Sequence, residues 1–134
     1  NINNKIILVS NISNSIPQVI VCNPSLSGCI GNDYPNILAM AEITSSVIDP
    51  IHNKIYFFGR DVYDESKMRM FRCEINGTAC TNRNISDLTG TTGNGYYPDA
   101  VVDTVSKKIY AVSENRSTNN SISYWSIPLY IEDP

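Results

Sequence analysis

The stretch Ser46-Val47-Ile48-Asp49-Pro50-Ile51-His52-Asn53-Lys54-Ile55-Tyr56 returns further along the chain as Ala100-Val101-Val102-Asp103-Thr104-Val105-Ser106-Lys107-Lys108-Ile109-Tyr110. Asp49 to Asp103 and Lys54 to Lys108 are the same 54 residues apart. A third, earlier copy is partial, with Asn4-Lys5-Ile6-Ile7 standing where Asn53-Lys54-Ile55-Tyr56 stands. Downstream of these segments, Cys22 and Cys29 precede Cys73 and Cys80 by 51 residues in each case. A repeat of about 50 residues decides the fold before any local propensity is weighed, because each copy is then one structural unit.

Each unit reads as strands in succession. A short apolar strand (46–48, 100–102) ends in a turn opened by Asp49 or Asp103, whose side chain is suited to bonding the backbone just ahead of it. A second strand follows (54–58, 108–113), then a polar loop (61–66, 114–121), then a third strand (68–75, 122–127). In the second copy Asn76-Gly77, the strongest short hairpin signal, leads to a fourth strand over 78–82. Composition agrees: Ile 18, Val 9 and Thr 8 supply β-branched residues, while Asn 16 and Ser 15 favour turns over helix interiors.

Four antiparallel strands per repeat of this length is the arithmetic of a β-propeller blade, whereas a single sandwich carries no such period. The expectation is an all-β chain, a partial β-propeller of about two and a half four-stranded blades. The 134 residues form one segment, divided into a partial repeat 1–41, a full repeat 42–95 and a partial repeat 96–134. The first copy lacks the short inner strand, and the third has only a faint fourth strand over 128–134. A closed ring usually needs at least four blades. The expectation is therefore either a fragment of a longer chain or a ring closed by another chain or by further copies of this one. Because the chain opens on Asn1 with no charged-then-apolar leader, the expectation is that an N-terminal segment was removed.

The residues Asp49 to Tyr56 with Cys73-Glu74-Ile75-Asn76-Gly77-Thr78, and Asp103 to Tyr110 with Tyr124-Trp125-Ser126, resemble the YWTD-type propellers of lipoprotein-receptor ectodomains. The hairpin Phe71 to Thr81, followed by Ile85-Ser86 and Tyr97-Pro98, is more similar still to cysteine-bearing bacterial repeats of the same layout. The resemblance implies a binding scaffold. The full YWTD tetrad is absent from every copy, and Ser126 and Pro128 stand where the third cysteine hairpin would be, so calcium or ligand-specific roles do not carry over.

Both cysteine pairs enclose six residues, and the second flanks Asn76-Gly77 symmetrically, which sets Cys73 opposite Cys80. Directly opposed strand residues lie about 4.5 to 5.5 Å apart, within reach of a disulfide. Of the three connectivities open to four cysteines, the repeat selects Cys22–Cys29 and Cys73–Cys80. Metal binding is the competing reading, but the spacing lacks a knuckle and only His52 is available to join the thiols. Disulfides place the chain in a secreted, periplasmic or cell-surface setting. Sequons at Asn11, Asn76, Asn84, Asn115 and Asn119 fit an exported glycoprotein, though an Asn-rich chain also produces them by chance.

Charge excludes several partners. The net charge is −3 with scattered cations, and nucleic acid requires a basic face that releases counterions. No apolar run approaches the about 20 residues of a membrane helix.

No catalytic residue, metal ligand or cofactor emerges. His52 reads as a solvated turn residue, with no G-x-S-x-G elbow to build a triad around it. Asp61, Asp64 and Glu65 sit among Arg60, Lys67 and Arg69, and are expected to be solvated acids with cationic neighbours. Gly90 to Gly95 lacks the Lys and helix of a phosphate loop. Tyr56, Phe57, Phe71 and Tyr110 are expected to fill the space between blades. Tyr96, Tyr97, Tyr124 and Trp125 are the candidate ligand-binding residues, because such rings carry interface energy at small entropic loss. The expected function is an extracytoplasmic module binding a protein or glycan through blade-end loops. A propeller hydrolase or lyase completed outside this chain is the alternative, and a structural part of an envelope or appendage is another.

Overall fold

The computed structural model describes residues 5–12, 16–33, 40–61, 63, 67–75, 79–84, 96–116 and 121–129. The Asn76-Gly77 turn, the acids Asp64 and Glu65, the 90–95 loop and the segment 130–134 lie outside the described residues, as does Asn119. Ten strands and no helix occur among those described. The first sheet holds β1 (Ile6–Ile12), β2 (Ile16–Cys22) and β3 (Ile30–Asp33). The second holds β4 (Met40–Asp49), β5 (Lys54–Asp61), β6 (Met68–Glu74) and β7 (Thr81–Asn84). The third holds β8 (Tyr96–Asp103), β9 (Lys108–Asn115) and β10 (Ser121–Pro128). Each sheet is an antiparallel meander, in the orders β1-β2-β3, β4-β5-β6-β7 and β8-β9-β10.

The repeat is a register identity. Ile55 faces Cys73, Phe57 faces Phe71 and Phe58 faces Met70. In the third sheet Ile109 faces Ile127, Ala111 faces Trp125 and Val112 faces Tyr124, each pair 54 residues later. In the first sheet Ile6 faces Cys22 and Leu8 faces Ile20 in the same relation. Among the described residues the first sheet therefore has no counterpart of β4, and the third none of β7.

The turns repeat as closely as the strands. Asp49 accepts hydrogen bonds from the backbone N–H of Ile51 (2.8 Å) and His52 (3.2 Å). Asp103 accepts from Val105 (2.9 Å) and Ser106 (3.2 Å). Each turn then exits through a left-handed residue, Asn53 at φ 54° or Lys107 at φ 55°. The carbonyls of those residues accept from the N–H of Ile75 (2.9 Å) and Leu129 (3.0 Å), tying the turn to the end of the third strand. The Asp-led turn expected from the sequence is thus present in both copies.

Alternation along each strand gives a sheet two faces, and the second sheet buries both. Ile55, Phe57, Phe71 and Cys73 pack with Ile7, Val19 and Val21 of the first sheet. Tyr56, Phe58, Met68 and Met70 pack with Ile109, Ala111, Trp125 and Ile127 of the third. Phe57 and Phe71 stack across β5 and β6 with centroids 5.2 Å apart. At about 25 cal/mol per Å² of apolar surface, these two seams supply the main driving force for stacking the sheets. Polar bonds then fix their orientation. The buried Tyr56 hydroxyl donates to the Leu129 carbonyl. Ser45 Oγ bonds Asp99 Oδ1 at 2.8 Å and accepts from the Ala100 N–H at 3.1 Å.

Tyr56, Phe57 and Phe71 fill the space between sheets as the sequence suggests. Tyr110 does not: it is 41% exposed, because among the described residues no sheet covers that face of β9. Asp61 also departs from expectation. It is buried rather than solvated, since β5 runs through to this residue and its N–H donates to the Lys67 carbonyl at 3.0 Å, drawing the carboxylate inside the hairpin. There it accepts from Arg69 Nε at 2.5 Å and from the Tyr63 N–H at 2.8 Å.

The cysteines join as Cys22–Cys29 and Cys73–Cys80, with Cα separations of 4.1 and 4.0 Å. The pairing follows from register: Val21 opposite Ile30 and Arg72 opposite Thr81 leave each cysteine facing its partner. Among the described residues no helix is long and apolar enough to cross a membrane.

Candidate binding site at the loop end

The Asp-led turns and both disulfides lie at one end of the sheets, and the loops after β5 and β9 lie at the other. At that second end the β8–β9 register slips between Tyr96 and Asp99. Tyr97 absorbs the irregularity at φ 48°, a left-handed conformation uncommon for a bulky residue. The bulge re-aims two successive aromatic side chains, a use to which bulges are often put at functional edges.

Guanidinium groups reach this aromatic pair from two sheets. Arg60, at the end of β5, lies 4.9 Å from the Tyr96 ring centroid, and Arg116, just beyond β9, lies 4.3 Å from it. Arg116 is also 5.4 Å from the Tyr97 centroid. Glu114, opposite Tyr96 in the ladder, holds Arg116 by a fork, Nε to Oε1 at 3.1 Å and Nη2 to Oε2 at 3.3 Å. The hydrogen bond to Glu114, then one to Tyr97, raises the Arg116 pKa above its ordinary value. The rings can stack on the apolar face of a sugar or an aromatic side chain, and the guanidinium N–H groups not engaged by Glu114 can donate to a ligand oxygen. Tyr97 is 61% exposed and presents the accessible ring.

The structure brings Tyr96 and Tyr97 together and does not bring the other two candidates to them. Tyr124 is 80% exposed on the outer face of the third sheet, opposite Val112. Trp125, its neighbour in sequence, points to the other face and is 4% exposed within the core. The sequence reading missed Arg60, Arg116 and Glu114. The Glu114–Arg116 spacing is a visible local signal, but the approach of Arg60 depends on how one sheet meets the next.

His52 Nδ1 lies 2.6 Å from Asp49 Oδ2, a spacing that invites a catalytic reading. The same bond recurs one repeat later, from Ser106 Oγ to Asp103 Oδ2 at 2.6 Å, where no imidazole exists. The contact belongs to the turn. Among the described residues no group of three or more His, Cys, Asp or Glu side chains could hold a metal ion. No family model, curated protein or solved structure matches the chain.

Proposed function

We propose that this chain is a segment of an exported β-propeller that binds a glycan or protein ligand through its blade-end loops, with Tyr96, Tyr97, Arg60 and Arg116 at the centre of the contact. One observation carries the reading: Arg116, braced by Glu114, lies over both tyrosine rings at a bulged strand start while Tyr97 remains open to solvent. Support for the propeller comes from three register-equivalent sheets stacked face upon face, with the second sandwiched by the others. Two disulfides support export, because such bonds persist in oxidising compartments. A ligand with a flat apolar face and a carboxylate, such as an acidic oligosaccharide, suits the rings and cations together.

The oxidised chain, screened against neutral and acidic glycans, is expected to retain the acidic class, with Tyr97→Ala and Arg116→Ala each weakening binding about tenfold or more. Undiminished binding by both variants rejects this site, and no glycan bound at all rejects a glycan as its ligand.

A further inference from the structure

The outer face of the third sheet repeats, 54 residues on, the face of the second sheet that is buried. Val47, Tyr56, Phe58, Met68 and Met70 correspond to Val101, Tyr110, Val112, Ile122 and Tyr124. The first set packs against a sheet, with Val47 at its margin and the other four fully buried. The second set is exposed throughout, from 41% at Tyr110 to 80% at Tyr124. All five replacements stay apolar or aromatic, on strands where solvent would favour polar residues in alternation. A contiguous apolar face of this kind on a soluble chain marks an interaction surface. An open groove of about 150 Å³ runs along it between Asp99, Val101, Tyr110 and Val112.

The repeat also says what kind of surface fits there. Tyr56 and Phe58 meet Ile109, Ala111, Trp125 and Ile127 of the following sheet. In the first sheet the register-equivalent positions of those four are Ile6, Leu8, Ile20 and Cys22. They lie on the face turned away from the second sheet, where Leu8 is 46% exposed. Beside Leu8, Ile6 and Ile20 are half-buried and Cys22 is buried. The chain therefore carries both halves of its own internal seam, one at each end of the stack, and among the described residues no sheet packs on either.

We infer that the third sheet of one copy docks on the first sheet of a second copy, head to tail, through Tyr110, Val112, Ile122 and Tyr124 against Ile6, Leu8 and Ile20. Two copies joined this way at both ends place six sheets about one two-fold axis, within the four to eight blades of closed propellers. The contact is between unlike faces, so each copy uses both surfaces once. This deepens the propeller reading by naming the partner, and it is independent of what the Tyr96–Tyr97 end binds.

Sedimentation of the oxidised full chain across a concentration series tests it. The expected mass is twice that of one chain. Tyr124→Glu and Leu8→Glu, both at exposed positions, are each expected to give the single-chain mass, as is Val101→Glu as a second probe of the third sheet. Mixing Tyr124→Glu with Leu8→Glu restores one intact interface and is expected to regenerate a pair. The inference is overturned by a wild-type chain that stays single, by a dimer that survives Leu8→Glu, or by variants that remain apart on mixing. Glycan binding measured on the Leu8→Glu chain keeps the two readings separate, since a failed dimer leaves the loop-end site in place.

Discussion

Asn115 donates from Nδ2 to Ser123 Oγ at 3.3 Å, from the two positions that one repeat earlier hold the Asp61–Arg69 ion pair. The same strand-end geometry is thus closed by a charged pair in one sheet and a neutral pair in the next. Asp61 is buried while Arg69 keeps part of its side chain in solvent, so the pair is shielded on the acid side only. Asn115, which carries a sequon, is itself only 8% exposed.

The ion pair can be tested by transplanting its neutral counterpart. Asp61→Ala leaves the Arg69 guanidinium and the Tyr63 N–H without their acceptor and is expected to cost about 3 kcal/mol, as breaking a buried pair does. Asp61→Asn combined with Arg69→Ser copies the third sheet and is expected to cost less than half as much. Urea unfolding of both variants decides it; equal losses would mean the two repeats do not share this position's role.

Lys107 occupies a left-handed conformation that asparagine holds at Asn53. An L-residue with Cβ meets a steric penalty of about 1–2 kcal/mol there, which glycine avoids at some entropic loss. Lys107→Gly is expected to stabilise the chain by about 0.5–1 kcal/mol, and Asn53→Val to destabilise it. Thermal midpoints of the two variants, moving in opposite directions, check the assignment.

Asp103 titrates below its ordinary 3.8, first because the Ser106 hydroxyl donates to it and then because the Ser106 and Val105 N–H groups do. A depressed carboxyl pKa adds stability that is present above the unfolded value and is lost as pH falls through the folded value. The loss is therefore confined to acid conditions below about pH 4. Ser106→Ala is expected to move the Asp103 titration up toward 3.8, read by carboxyl NMR, while an unmoved titration would remove the hydroxyl as the leading cause.

Each disulfide closes a short loop. For eight residues the chain-entropy estimate is about 2–3 kcal/mol per bridge. Cys73 is buried in the seam between the first and second sheets, with Cys80 packed at its margin. Cys73→Ala with Cys80→Ala is expected to lose packing as well as loop restraint, and so to cost more than the entropic figure alone. Denaturant unfolding of the reduced chain against the reduced double variant reads the packing loss alone, and the same comparison under oxidising conditions adds the loop restraint.

What the sequence determined by itself was everything carried by short-range chemistry. The period of the strands, the Asp49 and Asp103 turns and the pairing of Cys73 with Cys80 are legible because each depends on residues within one hairpin, where alternation and turn geometry act locally. Which face of a strand meets another sheet was decided only in three dimensions. Tyr56-Phe57-Phe58 and Tyr110-Ala111-Val112 alternate alike, yet the first run is buried on both sides and the second on one. Tyr124 and Trp125 differ by one residue and lie on opposite faces, Asp61 turns inward beneath Arg69, and Arg60 reaches Tyr96 from a different sheet. Which of the two faces is covered, and whether Arg60 arrives at Tyr96, depend on long-range stacking, because burial is a property of the neighbour a side chain meets and no local pattern encodes whether that neighbour is there.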